Sequence, residues 1–205
     1  MKALKIFFAV AGLLSLQGCL VLETVGIKIL LRPNDDPLLT MEYGNVYSVE
    51  DTEFEKDIAL RVRKDFEELI LEWKDEQPRK GWEETGLKIT NREVFIQRGK
   101  VMGRISGVAT NLENVVDALF SVQNGERIVN LELKEESDPI EVVETNGEVR
   151  ETNGETFIVW PEDATELYYK LKFKLADSYP IRQPLFLKLL EDYLASQEKT
   201  PSGAV

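Results

Sequence analysis

The chain has no histidine, and only one of its 205 residues is a cysteine. Without histidine there can be no Ser-His-Asp or Cys-His nucleophile system and no zinc site built on imidazole. The sequence also lacks a phosphate-binding loop and a Gly-x-Gly-x-x-Gly dinucleotide motif. These absences remove the most common catalytic and nucleotide-binding arrangements, and we expect a protein that is not an enzyme.

Acidic residues, by contrast, are abundant, with 37 Asp and Glu against 25 Lys and Arg. Local clusters occur in NDDP (34–37) and in PEDATE (161–166). Neither cluster has the spacing of a calcium loop, and neither embeds a carboxyl group in apolar sequence that would raise its pKa. We therefore interpret both as solvated turns and expect no metal or cofactor. The acidic excess also disfavours nucleic acid as a partner, because it repels the phosphate backbone.

The first residues have the layout of a secretory signal peptide. Lys2 and Lys5 supply a positive start, Ile6 to Leu16 form an uncharged apolar run, and Gly18 places a small residue before Cys19. The apolar run of 11 residues is well short of the ~20 that a membrane-spanning helix needs. The sequence therefore predicts export rather than a transmembrane anchor.

The cysteine makes this signal more specific. Leu16-Gln17-Gly18-Cys19 resembles the lipobox of bacterial lipoproteins. The resemblance implies that residues 1–18 are removed and that Cys19, as the new N-terminus, carries acyl chains such as palmitate. Two or three such chains hold a protein on a membrane almost irreversibly. The residue after the cysteine is Leu20 and not Asp. In lipoproteins of Gram-negative bacteria this pattern goes with export to the outer membrane, so the resemblance implies that location if the cell is Gram-negative. The alternative is an uncleaved anchor with a buried, inert cysteine.

The rest of the chain is predicted to be a single domain, residues 19–197, followed by a disordered polar tail, 198–205. Its length suffices for a core that is stable without disulfides. Two apolar, β-branched segments, residues 20–33 and 38–49, predict a hairpin around the 33–37 loop.

A long amphipathic helix is predicted next. Thr52 and Glu55 form a capping box at its start. Its apolar residues recur at spacings of three and four: Phe54, Ile58, Val62, Phe66, Leu69, Ile70 and Trp73. The segment Asp75–Gly81 is predicted to end the helix, which leaves Trp82 in a polar loop as a candidate exposed interaction residue.

The second half is predicted to be strands joined by tight turns, with one short helix and a C-terminal helix. Glu-Thr-Asn-Gly occurs at 144–147 and again at 151–154. Because Asn-Gly favours type I′ hairpins, the repeat predicts a small meander. Residues 166–176 alternate apolar and polar side chains, as in a strand buried on one face. Asn111 is expected to cap a short helix that includes Leu119 and Phe120.

Together these elements predict an α+β fold: a mostly antiparallel sheet packed by one long amphipathic helix, with a short helix and a C-terminal helix from Pro184. A curved sheet that packs on a helix can leave a cavity between them. Five residues are candidates for its lining, although core packing predicts the same residues: Phe66, Ile70, Trp73, Tyr169 and Phe173.

A weaker resemblance concerns the late strands. A lipobox, followed later by an Asn-Gly turn and a strand ending in Trp, is similar to the LppM-type bacterial lipoproteins. The matching residues are Cys19, Asn153, Gly154 and Trp160. This resemblance implies a small α+β lipoprotein domain able to bind lipid or glycolipid, and it transfers no catalytic residues.

We therefore expect a non-enzymatic lipoprotein of the bacterial cell envelope whose domain binds a lipid or another apolar ligand. The alternative is an interaction module without a ligand cavity, which offers a surface or sheet edge to another envelope protein. The two differ in an observable way, since a filled core with a large exposed apolar patch favours the second.

Overall fold

The computed structural model describes residues 20–48, 58–74, 76–116, 119–131, 140–173 and 184–199. The strands within these ranges are β1 (Leu20–Arg32), β2 (Asp35–Ser48), β3 (Leu87–Gln97), β4 (Lys100–Ala109), β5 (Leu119–Gln123), β6 (Glu126–Asn130), β7 (Ile140–Thr145), β8 (Glu148–Thr152), β9 (Glu155–Pro161) and β10 (Glu166–Phe173). The helices are α1 (Ile58–Lys74), α2 (Glu76–Thr85), α3 (Leu112–Val116) and α4 (Pro184–Lys199).

The strands form two antiparallel sheets rather than the single sheet that the sequence predicts. The larger sheet has the order β3-β4-β2-β1-β10-β7, and the smaller has the order β5-β6-β9-β8. With four helices in the same ranges, the fold is α+β and mostly antiparallel, as predicted.

The predicted hairpins are present where turn chemistry is local. β1 and β2 pair around a turn at Pro33 and Asn34, and the φ of Asn34 is 63°. The loop is shorter than predicted, because strand β2 already begins at Asp35. Asp35 and Asp36, which were expected in a solvated turn, are the first two residues of this strand. β3 and β4 pair around Arg98 and Gly99, both with positive φ.

The first Glu-Thr-Asn-Gly sequence does not form the predicted hairpin. β7, which ends at Thr145, pairs with β10, whereas β8 pairs with β9 in the other sheet. Asn146 and Gly147 therefore carry the chain from one sheet to the other. A Cβ at Gly147 would lie 2.6 Å from Cε2 of Trp160, so this close approach requires glycine. The second copy is a hairpin turn, with Asn153 at φ 54° and Gly154 at φ 79°.

One hydrophobic core includes residues from both sheets and from the helices. In β10, Leu167, Tyr169 and Leu171 are buried, which confirms the alternation predicted for that strand. The other sheet contributes Val129, Ile158 and Trp160, and the helices contribute Val62, Phe66, Leu69, Phe186 and Leu190. The core therefore joins the two sheets into one packed unit.

Helix α1 is described from Ile58, and the capping residues Thr52 and Glu55, with Phe54, lie outside the described residues. The prediction of a loop after α1 is wrong, because helix α2 spans Glu76–Thr85. Pro78 is tolerated as its third residue, where the missing N–H would have no partner within the helix.

The remaining helices also differ from the prediction in part. Trp82 lies in α2 and packs partly buried against the core, so it is not a loop residue. Asn111 caps α3 as predicted, since its Oδ1 accepts the Asn114 N–H at 3.2 Å. Leu119 and Phe120, however, belong to β5 rather than to this helix.

The C-terminal helix α4 begins at Pro184, as predicted, and it continues to Lys199, two residues into the segment expected to be a tail. Among the described residues, no helix combines the length and the apolar character that crossing a membrane requires. Cys19 and the preceding residues lie outside the described part of the chain.

Candidate functional site

A groove of about 510 Å³ lies on the smaller sheet. Nine residues of strands β5, β6, β8 and β9 line it: Phe120, Ser121, Gln123, Ile128, Asn130, Arg150, Thr152, Phe157 and Val159. The groove is open to solvent rather than enclosed, so it would cover one side of a ligand and not surround it.

Strand alternation explains how this sheet has a core face and a groove face. Successive side chains of a strand point to opposite faces. Val129 and Ile158 are fully buried in the core, and their neighbours Ile128 and Val159 line the groove as a directly paired couple. The next cross-strand pair, Asn130 and Phe157, adds one polar and one aromatic side chain. The apolar floor of the groove is therefore formed by paired residues of β6 and β9.

One ion-pair cluster crosses this floor. Nη1 and Nη2 of Arg150 donate to the two carboxylate oxygens of Glu126, both at 2.9 Å. Nη2 also donates to Glu148 at 2.7 Å. Because β9 lies between β8 and β6 in the sheet, the Arg150–Glu126 pair spans β9. Val159 of β9 is only 5% exposed, although it is on the groove face.

The cluster contains two carboxylates and one guanidinium. The hydrogen bonds from Arg150 lower the pKa of Glu126 and of Glu148, so both are ionised at neutral pH. The same hydrogen bonds, led by that to Glu148, raise the pKa of Arg150. The cluster therefore carries one excess negative charge at neutral pH.

The other polar groups at the groove are uncharged. Ser121, Gln123, Asn130 and Thr152 bring hydroxyl and amide groups to its lining. Such groups both donate and accept hydrogen bonds. An apolar floor with a few polar groups is the composition typical of sites for small, partly apolar ligands.

The residues predicted to line a cavity between helix and sheet are not among those that line this groove. The ring of Phe66 packs against two rings of α4. Its centroid lies 5.8 Å from that of Phe186 and 6.2 Å from that of Tyr193. Tyr169 is fully buried, and its ring centroid lies 6.4 Å from that of Trp160. The structure therefore places these two rings against different partners.

The structure gives less information on the other predicted site residues. Ile70 and Phe173 are partly buried and pack against the core. The side chain of Trp73 and the proposed lipidation site Cys19 lie outside what the structure describes. The lining of a helix–sheet cavity by these residues stays a prediction.

The sequence contains a signal for the groove that our prediction did not use. In RIVNLEL, Ile128 and Asn130 alternate with Val129 and Leu131, and the latter pair is buried. The contribution of Phe157 and Arg150 depends on strand pairing between distant segments. Local patterns do not specify such pairing.

The outer face of the larger sheet carries a second charged cluster. Arg104 of β4 pairs with Glu42 of β2 at 2.8 Å and with Glu93 of β3 at 2.6 Å. Its guanidinium also lies 4.8 Å from the centre of the Phe95 ring. These are cross-strand contacts on a solvated sheet face, and they account for the charges without a ligand.

No group of three or more potential metal-ligating side chains occurs within the described ranges. Comparison with family models, curated proteins and solved structures finds nothing that matches this chain. Inferences about function therefore rest on the residues and their geometry.

Proposed function

We propose that this chain is a non-enzymatic lipoprotein of the bacterial cell envelope that binds a lipid or another apolar ligand. The groove on the smaller sheet is the observation that carries this proposal. It joins an apolar floor to uncharged polar groups, which suits a molecule with an apolar chain and a small head. The predicted partners are thus the membrane, through the anchor, and an apolar ligand.

The position of β1 shows which part of the domain an anchor at Cys19 would hold. β1 begins at Leu20, so the predicted lipidated residue directly precedes a strand of the larger sheet. A strand advances about 3.3 Å per residue. Acyl chains on Cys19 would therefore hold this end of the sheet next to the membrane, which is the periplasmic face of the outer membrane in a Gram-negative cell.

We further propose that α1 covers the inner face of the larger sheet, as the sequence predicts. Two observations support this arrangement. Val62, Phe66 and Leu69 belong to the same buried cluster as the sheet residues. In addition, Ser48 at the end of β2 donates a hydrogen bond to Asp65 of α1 at 2.5 Å.

Native mass spectrometry can test ligand binding. The protein would be the Cys19→Ser chain without residues 1–18, because every described element and core residue lies beyond position 19. After incubation with a lipid extract of bacterial envelopes, we expect a discrete adduct of one ligand per chain. A mass without any adduct would contradict the proposal.

A matched pair of variants locates the site. Ser121→Phe places an aromatic ring in the groove, and we expect it to reduce the bound fraction about tenfold. Val122→Phe is the control. Val122 is next to Ser121 in β5, but its side chain is not part of the lining and is 53% exposed. Equal loss of binding in both variants would argue against the groove.

The second candidate, an interaction module for another envelope protein, is favoured by a different observation. Val122, Val143 and Val149 are 53%, 44% and 43% exposed, and they lie on β5, β7 and β8, each at the edge of its sheet. Edge strands present unpaired backbone groups to which another chain can add. Cross-linking in intact cells tests this candidate, which predicts a discrete protein adduct that Val149→Lys removes and Glu151→Lys retains.

A further inference from the structure

We propose that the groove selects an amphiphile with an uncharged, hydrogen-bonding head group, such as a hydroxyl or amide, over an anionic one such as a fatty acid. This inference rests on the proposed function and concerns the chemistry of the ligand head. The argument comes from charge balance at the groove and from the uncharged polar groups of its lining.

The cation of the groove lining is already neutralised. Among the nine lining residues, Arg150 is the only one with a charge. It makes three hydrogen bonds to Glu126 and Glu148, at 2.7–2.9 Å. In the bidentate geometry with Glu126, two N–H groups face two carboxylate oxygens, which is the most favourable arrangement for this pair. An anionic head would have to compete with these bonds.

Competition of this kind would also leave a repulsive charge behind. A carboxylate displaced from Arg150 stays tethered to its strand, close to the incoming anion. Like charges at such distances repel each other, although the exposed position of these side chains lets water screen part of the repulsion. With two carboxylates against one guanidinium, the local field opposes a third negative group. A neutral head meets no such penalty.

Groups that recognise a neutral head are present in the same lining. Ser121 and Gln123 lie on β5, and Ser121 is paired with the apolar residue Ile128 of β6. A hydroxyl or amide both donates and accepts, as these side chains do. An apolar chain can rest on the floor while its head forms hydrogen bonds at the side of the groove.

The test compares two ligands with the same twelve-carbon acyl chain, dodecanoate and 1-monododecanoylglycerol. Binding to the Cys19→Ser chain from residue 19 onwards is measured at pH 7.5 by titration calorimetry, below the aggregation concentration of each ligand. We expect the neutral glycerol ester to bind at least tenfold more tightly than dodecanoate.

Removal of one groove carboxylate should reverse part of this preference. In Glu148→Gln, Arg150 keeps its bidentate partner Glu126, and the excess negative charge is gone. We expect dodecanoate affinity to rise at least threefold with little change for the neutral ester. Glu151→Gln, on the same strand, is the control with the same charge change, because Glu151 is not bonded to Arg150, and it should leave the ratio unaltered.

The outcomes separate this inference from the proposed function. Equal or tighter binding of dodecanoate by the unsubstituted protein overturns the head-group preference and leaves ligand binding in place. A ratio unchanged in Glu148→Gln, or changed equally in Glu151→Gln, also overturns it. If neither ligand binds and the envelope extract gives no adduct, the proposed function itself fails.

Discussion

The side-chain oxygen of Asn146 accepts a hydrogen bond from the indole Nε1 of Trp160 at 2.7 Å. The same oxygen accepts the backbone N–H of Tyr168 at 2.8 Å, and the Asn146 amide donates to the carbonyl of Glu166 at 3.1 Å. Trp160 belongs to the smaller sheet, whereas Tyr168 and Glu166 belong to the larger one. One side-chain amide thus joins the two sheets.

This contact predicts different effects for the same substitution in the two Glu-Thr-Asn-Gly sequences. Asn146→Gly removes the acceptor of the Trp160 indole, which is buried, and of the Tyr168 N–H. The unsatisfied indole N–H costs roughly 1–3 kcal/mol, whereas water can replace the acceptor of the exposed Tyr168 N–H, so we expect the free energy of unfolding to fall by about 2 kcal/mol. Asn153→Gly places glycine at a φ of 54°, which glycine adopts readily, and the change should be within about 0.5 kcal/mol.

Urea unfolding of the two variants, followed by tryptophan fluorescence and by circular dichroism, measures both values. A common background, the Cys19→Ser chain from residue 19 onwards, makes them comparable. Similar losses of stability in both variants would show that the Asn146 contact does not join the sheets as described.

The two copies also show how far the sequence predicts the fold. Asn153 and Gly154 form the predicted turn because both residues adopt positive φ without outside help. Asn146 and Gly147, in an identical tetrapeptide, are fixed by Trp160 and by β10. That choice depends on contacts with distant residues, so local turn chemistry predicts one copy correctly and the other wrongly.

The groove was missed for a related reason. Alternation separates Ile128 from its buried neighbour Val129, and this much can be read from the sequence. The pairing of Ile128 with Val159, and the reach of Arg150 to Glu126, arise only when β6, β8 and β9 lie in one sheet. Alternation predicts the two faces of each strand, but the order of strands determines which side chains meet.

The second prediction concerns the bond between β2 and α1. Ser48 is fully buried and Asp65 is 4% exposed. Asp65→Ala removes the acceptor of the Ser48 hydroxyl at 2.5 Å and leaves that group buried. A buried donor left without its acceptor costs about 1–3 kcal/mol, and we expect a loss of about 2 kcal/mol in the free energy of unfolding.

Glu67→Ala is the matched control for this prediction, because Glu67 is an exposed acidic residue of the same helix. Its effect should be within about 0.5 kcal/mol. Urea unfolding measures both variants. If Asp65→Ala proves as mild as Glu67→Ala, the proposed attachment of α1 to the sheet through Ser48 loses its support.

The third prediction is the pH dependence of the groove cluster. Arg150 lowers the pKa of Glu126 and of Glu148 below their usual value of 4.5. A lowered pKa in the folded state means that the pair stabilises the fold above pH 4.5, and that this contribution is lost as pH falls through the lower values. In Arg150→Gln, we expect both carboxyl groups to titrate at a higher pH than in the unsubstituted protein.

NMR titration of the glutamate side-chain carboxyl carbons measures these pKa values directly. Arg63→Gln serves as the control, because Arg63 is an exposed residue of α1 outside the cluster and carries the same charge. An equal rise of both pKa values in Arg63→Gln would mean that overall charge, rather than the contacts with Arg150, determines them.

The fourth prediction concerns the anchor, on which localisation depends. If Cys19 is acylated, cells grown with an alkyne-labelled palmitate should yield a labelled protein that fractionates with membranes and partitions into the detergent phase. Cys19→Ser should abolish the label, since the chain has no other cysteine, and it should also leave residues 1–18 attached.

Leu20→Asp is the companion variant: it should keep the label, and in a Gram-negative host it should move the protein from the outer to the inner membrane. A protein without label that still remains in the membrane would instead support an uncleaved apolar anchor, because the run from Ile6 to Leu16 would then provide the attachment by itself.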